Sequence, residues 1–340
     1  MGSVPDRRSK TISFPPITEL RTRQQFFADL RSVWDTVKAQ GNLPKLLKLQ
    51  RANAFRTLGA FVLDWITIAV SVGLVYAVSL WFLPVSLLLI GSRHRALSNL
   101  VHDASHGNLI KDRRINDWVT NFLAAFPMLD TVKSYRRYHG LHHANLGSLT
   151  ADPDAITHLR YGFNDLEPWT GTFLRNYTRL LLLKNAWIDS MGSGITDLSR
   201  KEKLQVGLWW LTVLSFLVAI GGPSLAFTFA TLWIVARATA YHAIRLFAEF
   251  LDHTGLKATS VVDFSRFLPH SGIIAWLCHP HQDTFHLVHH LAPNIPHYHL
   301  KAASDLMEEV PKIQDAHHCD AYFILGKHLA IDCWTGTCSH

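Results

Sequence analysis

Apolar residues along this chain gather into two long runs, separated and followed by polar stretches. Across residues 57–90 nearly every position is apolar, and Asp64 is the exception. A bilayer core takes about 20 residues per helical crossing. Residues 57–80 supply one crossing. Pro84 then opens a second helix, after a short turn near Trp81, that continues through Arg93 and Arg95 to Val101. The second run reads the same way, with one arm over 206–220, a turn at Gly221, Gly222 and Pro223, and the other arm over 224–248. Shorter apolar patches at 118–129 and 177–187 are too short or too interrupted to cross and fit re-entrant or interfacial helices.

Upstream of both runs, Leu20, Phe26, Phe27, Leu30, Val33, Trp34 and Val37 recur at helical spacing, and Gly41 ends the pattern. Such a helix either lies on the bilayer surface or packs on the rest of the chain. The opening "MGSVPDRRSK" has no apolar core, so no cleavable secretory signal is expected there. Asp6 departs from the myristoylation pattern.

Together with the histidine clusters set out below, these patterns predict an all-α integral membrane protein with four transmembrane helices in two hairpins, and a cytoplasmic helical cap that holds a di-metal site. The expected organisation is an N-terminal arm over 1–56 and a membrane domain over 57–300. Within that domain the hairpins fall at about 57–101 and 206–248, and the metal-binding regions at 102–205 and 249–300. A tail follows over 301–340. Four crossings put both termini and the cap on one side. Arg51, Arg56, Arg93, Arg95, Lys111, Arg113, Arg114, Lys133, Arg136 and Arg137 flank the apolar runs and mark that side as cytoplasmic.

Composition agrees. Of 340 residues 48% are hydrophobic and only 17% charged, against about a quarter charged in soluble domains. The net charge of +7 borders the apolar runs and forms no compact patch beside an aromatic platform. It therefore points to a membrane surface and not to nucleic acid. Cys278, Cys319, Cys333 and Cys338 do not suggest a disulfide framework. The last three with His340 match none of the usual zinc spacings, so free thiols in a reducing compartment are expected.

Histidine carries the chemistry. Of 21 histidines, eight lie in three tight clusters: His102 and His106 in "HDASH", His139, His142 and His143 in "HGLHH", and His286, His289 and His290 in "HLVHH". On a helix, residues three and four apart share a face, so each cluster aims its rings at one point. Neutral imidazole is the commonest metal ligand. The isolated His94, His158, His270 and His328 read as packed or surface residues. One zinc takes about four ligands, so eight imply two metals. Imidazole suits Zn, Cu, Fe and Ni, and the paired Glu-x-x-His set of ferritin-type sites is missing. A transporter would need polar ligands near mid-membrane. Here the clusters fall outside the apolar runs, and only Asp64, His242 and Arg245 lie in or near them.

The three boxes, in this order and placed after apolar hairpins, resemble the membrane fatty-acid desaturase superfamily over about residues 58–300. "GSLTADPD" and "HHLAPNIPHYHL" extend the resemblance beyond the second and third boxes. It implies an integral-membrane enzyme with two non-haem irons as cofactor and O2 as co-substrate. It also implies a ninth ligand, His253 in "AEFLDHTG". Glu249, four residues earlier, then acts as a metal ligand or as a hydrogen-bond partner, where some relatives place Asn. Asp103, Asp152, Asp154, Asp252 and Asp283 are candidates to orient the ligand rings, with Asp103 and Glu249 taken as the carboxylates nearest the chemistry. The chain has no flavin or dinucleotide fingerprint, no Cys-rich ferredoxin segment and no haem domain. Electrons would come from a separate ferredoxin or cytochrome b5 docked on the basic face. The expected reaction is insertion of a double bond into a fatty acyl or lipid-like substrate. The boxes leave open a hydroxylase, ketolase or desaturase acting on a terpenoid, a carotenoid or a small polar metabolite.

Overall fold

The computed structural model describes residues 24–335, apart from 165–169, 193 and 257. Leu20, Cys338 and His340 lie outside the described residues. Six helices frame the molecule's centre: α1 (Ala54–Gly73), α2 (Leu83–His106), α3 (Val132–Asn145), α4 (Arg200–Ala236), α5 (His242–His253) and α6 (His286–Leu291).

α1 and α2 pack against each other across a short turn. Asn53 caps α1 by accepting from the Phe55 and Arg56 amides. The helix runs on through a π turn, Leu74–Val78, and the chain reverses at Ser79. Pro84 sits in the first turn of α2, where its missing N–H costs nothing. Gly107, in the left-handed region at φ 83°, stops α2 just past its second box histidine. Two polar contacts tie the arms. Ser86 Oγ donates to the Ser71 carbonyl at 2.9 Å, and Arg93 Nη1 donates to Asp64 Oδ1 at 2.9 Å. Asp64, the one polar interruption of the apolar run, is thus the buried counter-ion of Arg93.

α4 opens with a capping box between Ser199 and Glu202. Its helical path breaks at Gly222 (φ 76°, ψ 178°), ahead of Pro223. Beyond the break the chain doubles back: the Trp210 ring lies 5.6 Å from Trp233 and 6.2 Å from Phe229. α4 is therefore two antiparallel arms meeting at the turn expected at 221–223. The second arm passes through a π turn, Arg237–Tyr241, into α5. Trp65 of α1 stacks on Trp233 at 5.7 Å, and Tyr76 Oη donates to the Gly221 carbonyl at 3.0 Å. α2 meets the π turn backbone to backbone at Gly91. A Cβ there would lie 2.6 Å from both Ala240 Cβ and the Tyr241 nitrogen.

Two helical stretches, Ala54–Val78 and Arg200–His253, are long and apolar enough to cross a membrane. Their outer faces expose Leu63, Ile66, Leu211, Phe216, Phe227 and Ile234, while Asp64, Ser71, Arg93 and His94 are buried. Polar inside and apolar outside is the distribution that lipid, not water, rewards. α2 does not join these two stretches, because Arg93, His94, Arg95 and Asn99 sit on its buried face.

Three features add to the sequence reading. The N-terminal helix, Ala28–Ala39, buries Val33 and Val37 in a cluster with Leu256, Val261 and Ile295. Asp29 Oδ2 also accepts from the Val262 amide. Its apolar face is therefore used inside the protein and is not free to lie on a bilayer. The segment after residue 300 packs on the rest of the chain: Met307, Val310 and Ile313 join the same cluster, and Trp334 is fully buried. The all-α expectation misses one small feature, a two-residue parallel pairing of Arg266–Phe267 with His317–His318. The patches at 118–129 and 177–187 fall in short helices and turns, among them Arg113–Thr120, Phe173–Leu181 and Lys184–Gly192.

Candidate metal centre

The ends of four helices meet at one place. α2 brings His102 and His106, α3 brings His139, His142 and His143, α5 ends on His253, and α6 brings His286, His289 and His290. The helical spacings that put each box on one face also separate the nine rings into two groups. His102, His106, His139, His143 and His289 form one; His142, His253, His286 and His290 form the other. Within each group the ligand atoms lie within 4.8 Å of one another. The second and third boxes each serve both groups, which answers why the H-x-x-H-H pattern occurs twice.

The atomic spacing fits metal ligation. Nε2 of His143 lies 2.8 Å from that of His139 and 3.0 Å from that of His289. Nε2 of His286 lies 3.0 Å from that of His253 and 2.9 Å from that of His290. Two imidazoles each about 2.1 Å from one ion and at a right angle to each other would stand about 3.0 Å apart. Two of the rings engage their second nitrogen as a ligand should. His142 Nδ1 donates to Asp152 Oδ1 at 2.9 Å and lies 3.2 Å from Asp154 Oδ2, and His253 Nδ1 donates to the Phe264 carbonyl at 2.6 Å.

Electrostatics keep most of these rings neutral, with a lone pair to offer. Burial, reinforced by neighbouring histidines, holds His139, His143, His286, His289 and His290 well below the ordinary imidazole range. Burial takes His106 down to about 3 and His102 to about 4. His142 goes the other way. Burial alone would lower it, but Asp154 and Asp152 outweigh that and raise it to about 9. An all-nitrogen donor set of this size suits iron, zinc, copper or nickel.

Of the predicted carboxylates, Asp152 and Asp154 face a ring of the groups. Asp252 Oδ1 stands 3.9 Å from His286 Nδ1, beyond hydrogen-bond reach. Asp103 orients a different histidine: its Oδ2 accepts from the backbone nitrogen and Nδ1 of His297, at 3.1 and 2.8 Å. Asp283 pairs with Arg95 at 2.7 Å. Glu249 joins neither histidine group. Its carboxylate takes Arg245 at 2.8 Å and faces Arg95 at 3.8 Å. No cysteine enters a ligand group among the described residues.

A cavity of about 300 Å³ opens beside His102, His139, His142, His253 and His286, so it touches both groups. Tyr135 lies against the His102 and His139 rings on its wall. The wall also carries Arg95, Arg237, Arg245, Asp130 and Glu249. Sequence reasoning missed these arginines as site residues. Periodicity marks ligand clusters, but single polar residues on apolar helices give no such signal; only their presence in an otherwise apolar run could have drawn notice, as it did for Arg245.

A family model described as fatty acid desaturase matches residues 79–322. Over 265 residues, 73% of this chain and 74% of that protein, the sequence is 28% identical to one named dihydrorhizobitoxine desaturase, from Bradyrhizobium elkanii. It is 24% identical over 337 residues to an sn-1 oleoyl-lipid 12-desaturase of Synechocystis sp., with 88% of each chain covered. A 127-residue stretch, 37% of this chain and 35% of the relative, is 31% identical to a Synechocystis sp. protein named sn-1 acyl-lipid omega-3 desaturase (ferredoxin).

Proposed function

The chain belongs to the fatty acid desaturase family and is a desaturase-like oxidoreductase; from that premise we propose a membrane-embedded di-iron desaturase that uses O2 as co-substrate. The observation that carries it is the convergence of nine imidazoles, in two groups of five and four, where α2 and α5, which continue the apolar arms, meet α3 and α6.

His102, His106, His139, His143 and His289 hold one iron; His142, His253, His286 and His290 hold the other. When bound, the irons would supply the oxidation of an unactivated C–H bond: adjacent carbons lose two hydrogens, and O2 takes these and two donor electrons, with two protons, to give two waters. The protein's part is geometric and electrostatic. Asp152 fixes the His142 ring and raises its basicity. Burial keeps the other rings neutral. The cavity presents one stretch of substrate to the histidines and limits bulk water around it. Glu249, bridged to Arg245 and Arg95, shapes that cavity and does not ligate.

All four arms cross the membrane, which puts both termini and the metal centre on one side, and the basic flanks make that side cytoplasmic. α2 crosses despite its arginines because Asp64 and the cation–π contact with Trp276, 4.3 Å from Arg93, accommodate the Arg93 charge inside the bundle. The electron donor is a separate ferredoxin or cytochrome b5 drawn to the basic cytoplasmic flank around Lys133 and Arg137. Two of the similar cyanobacterial proteins carry ferredoxin in their names, which supports the first. An acyl lipid is the substrate that the family name suggests. The charged wall of the cavity favours a second reading, in which the substrate is a small polar metabolite.

The test is turnover in a purified, iron-loaded preparation with a ferredoxin donor. A product two mass units lighter than its substrate, formed only with O2, supports desaturation. A product sixteen units heavier would make the protein a hydroxylase.

A further inference from the structure

The cavity beside the histidines is lined by charge. Most of that charge is already paired within the protein: Arg245 with Glu249, Arg95 with Asp283, and Arg160 with Asp189. Among the described residues, Arg237 and Asp130 have no ion-pair contact, though each feels the other's charge; the buried Asp252 on the same wall likewise has no arginine or lysine within ion-pair distance. Arg237 is buried, 6% exposed, and donates to the Met191 and Met128 carbonyls and to Met128 Sδ. Among the described residues it pairs with no carboxylate. Asp130 accepts from the Thr131 amide at 2.7 Å and meets no cation within ion-pair distance among the described residues. Gly194 lies against it so closely that a Cβ there would stand 3.2 Å from the carboxylate. Both line the cavity.

A saturated acyl chain would strip water from these groups and return nothing. A buried charge with no partner is costly. A guanidinium offers a planar fork that matches a carboxylate, and a carboxylate matches an ammonium. Accepting the desaturase reading above, we propose that the substrate is a linear zwitterion of the amino-acid type, with its carboxylate on Arg237 and its ammonium on Asp130. Arg237 precedes His253 by sixteen residues on one helical path, about 24 Å at 1.5 Å per residue. The carbons that react are therefore well removed from the anchored end, and the substrate lies extended along the cavity.

The experiment measures equilibrium binding to the purified, full-length, iron-loaded protein in detergent. The probes are 2-aminohexanoate, 2-aminooctanoate and 2-aminodecanoate, the matching fatty acids and alkylamines, and vesicles of dioleoyl phosphatidylserine, which carries the same pair of groups on a lipid. At least one free amino acid should bind about tenfold or more tighter than its matched fatty acid and amine, since each lost charged contact costs about that much. Phosphatidylserine vesicles should bind no better than vesicles of dioleoyl phosphatidylcholine. Arg237→Gln should weaken the amino acid and the fatty acid but not the amine; Asp130→Asn should weaken the amino acid and the amine but not the fatty acid. Arg237→Lys, with its charge retained, should keep part of the amino-acid affinity. Equal binding of fatty acid and amino acid by the unmodified protein would overturn the proposal without any variant. So would a specific preference for the phosphatidylserine vesicles. Iron content is measured on the same samples: two irons with acyl-lipid turnover would sink the zwitterion and leave the desaturase, whereas amino-acid binding without O2-dependent turnover would do the reverse.

Discussion

His142 donates from Nδ1 to Asp152 Oδ1 at 2.9 Å, and both side chains are buried. Asp152 is itself fixed by the Gly147 and Asp154 amides, each at 3.0 Å, and caps the helix Pro153–Arg160. A rigid loop thus aims a ligand ring from outside the cluster. Asp152→Asn keeps the cap, since Asn is as good an N-cap as Asp. It removes the charge that makes His142 basic. Iron affinity should fall about 10–100-fold with the apo-protein's melting little changed. A metal titration that gives the parent affinity would deny Asp152 this role.

Glu249 stands one turn before His253, yet its partners are Arg245 and Arg95, and its side chain is 34% exposed. Glu249→Gln should leave iron per chain unchanged. Loss of these ion pairs should cost under about 1 kcal/mol of stability, and substrate KM should move because the cavity-lining Arg245 loses its carboxylate partner while Arg95 keeps Asp283. Metal analysis alongside steady-state kinetics checks this, and loss of iron from the variant would return Glu249 to the metal.

What could be read from sequence, and what could not, follows from the range of each signal. The hairpins were legible because apolar runs and Gly-Gly-Pro punctuation are local. The nine histidines were legible because i, i+3, i+4 spacing is local too. Their sorting into groups of five and four was not, since it depends on how α3 and α6 cross the ends of α2 and α5. Asp103 was expected near the ligands because it follows His102 in sequence; on a helix the next residue points about 100° away, and it meets His297 instead. The burial of the N-terminal helix and of Trp334 is likewise a long-range result.

Asp64 and Arg93 form a buried pair within the first hairpin, and Asp64 Oδ2 also accepts from His281 Nε2 at 2.8 Å. Asp64→Ala leaves the guanidinium and the imidazole without their carboxylate. The expected loss is about 3–5 kcal/mol, the cost of orphaning one member of a buried pair. Thermal melting in detergent should show it, while Asp64→Leu with Arg93→Met should recover much of the loss. A melting temperature unchanged in Asp64→Ala would mean the pair is solvated.

Both termini should lie in the cytoplasm, since four arms give an even number of crossings and the Lys and Arg residues flank the arms on that side. Tags at residues 1 and 340 should resist external protease in intact cells and be cut only after lysis. Cleavage of a single tag from outside would require an odd number of crossings.

The central claim is a pair of irons shared among nine histidines. Metal content of the purified protein, measured beside O2-dependent product formation, tests it most directly. The account predicts two irons per chain, with His289→Ala depleting the five-histidine group, His290→Ala depleting the four-histidine group, and neither variant turning over substrate. A single metal per chain, or full activity with zinc alone and no O2, would contradict it.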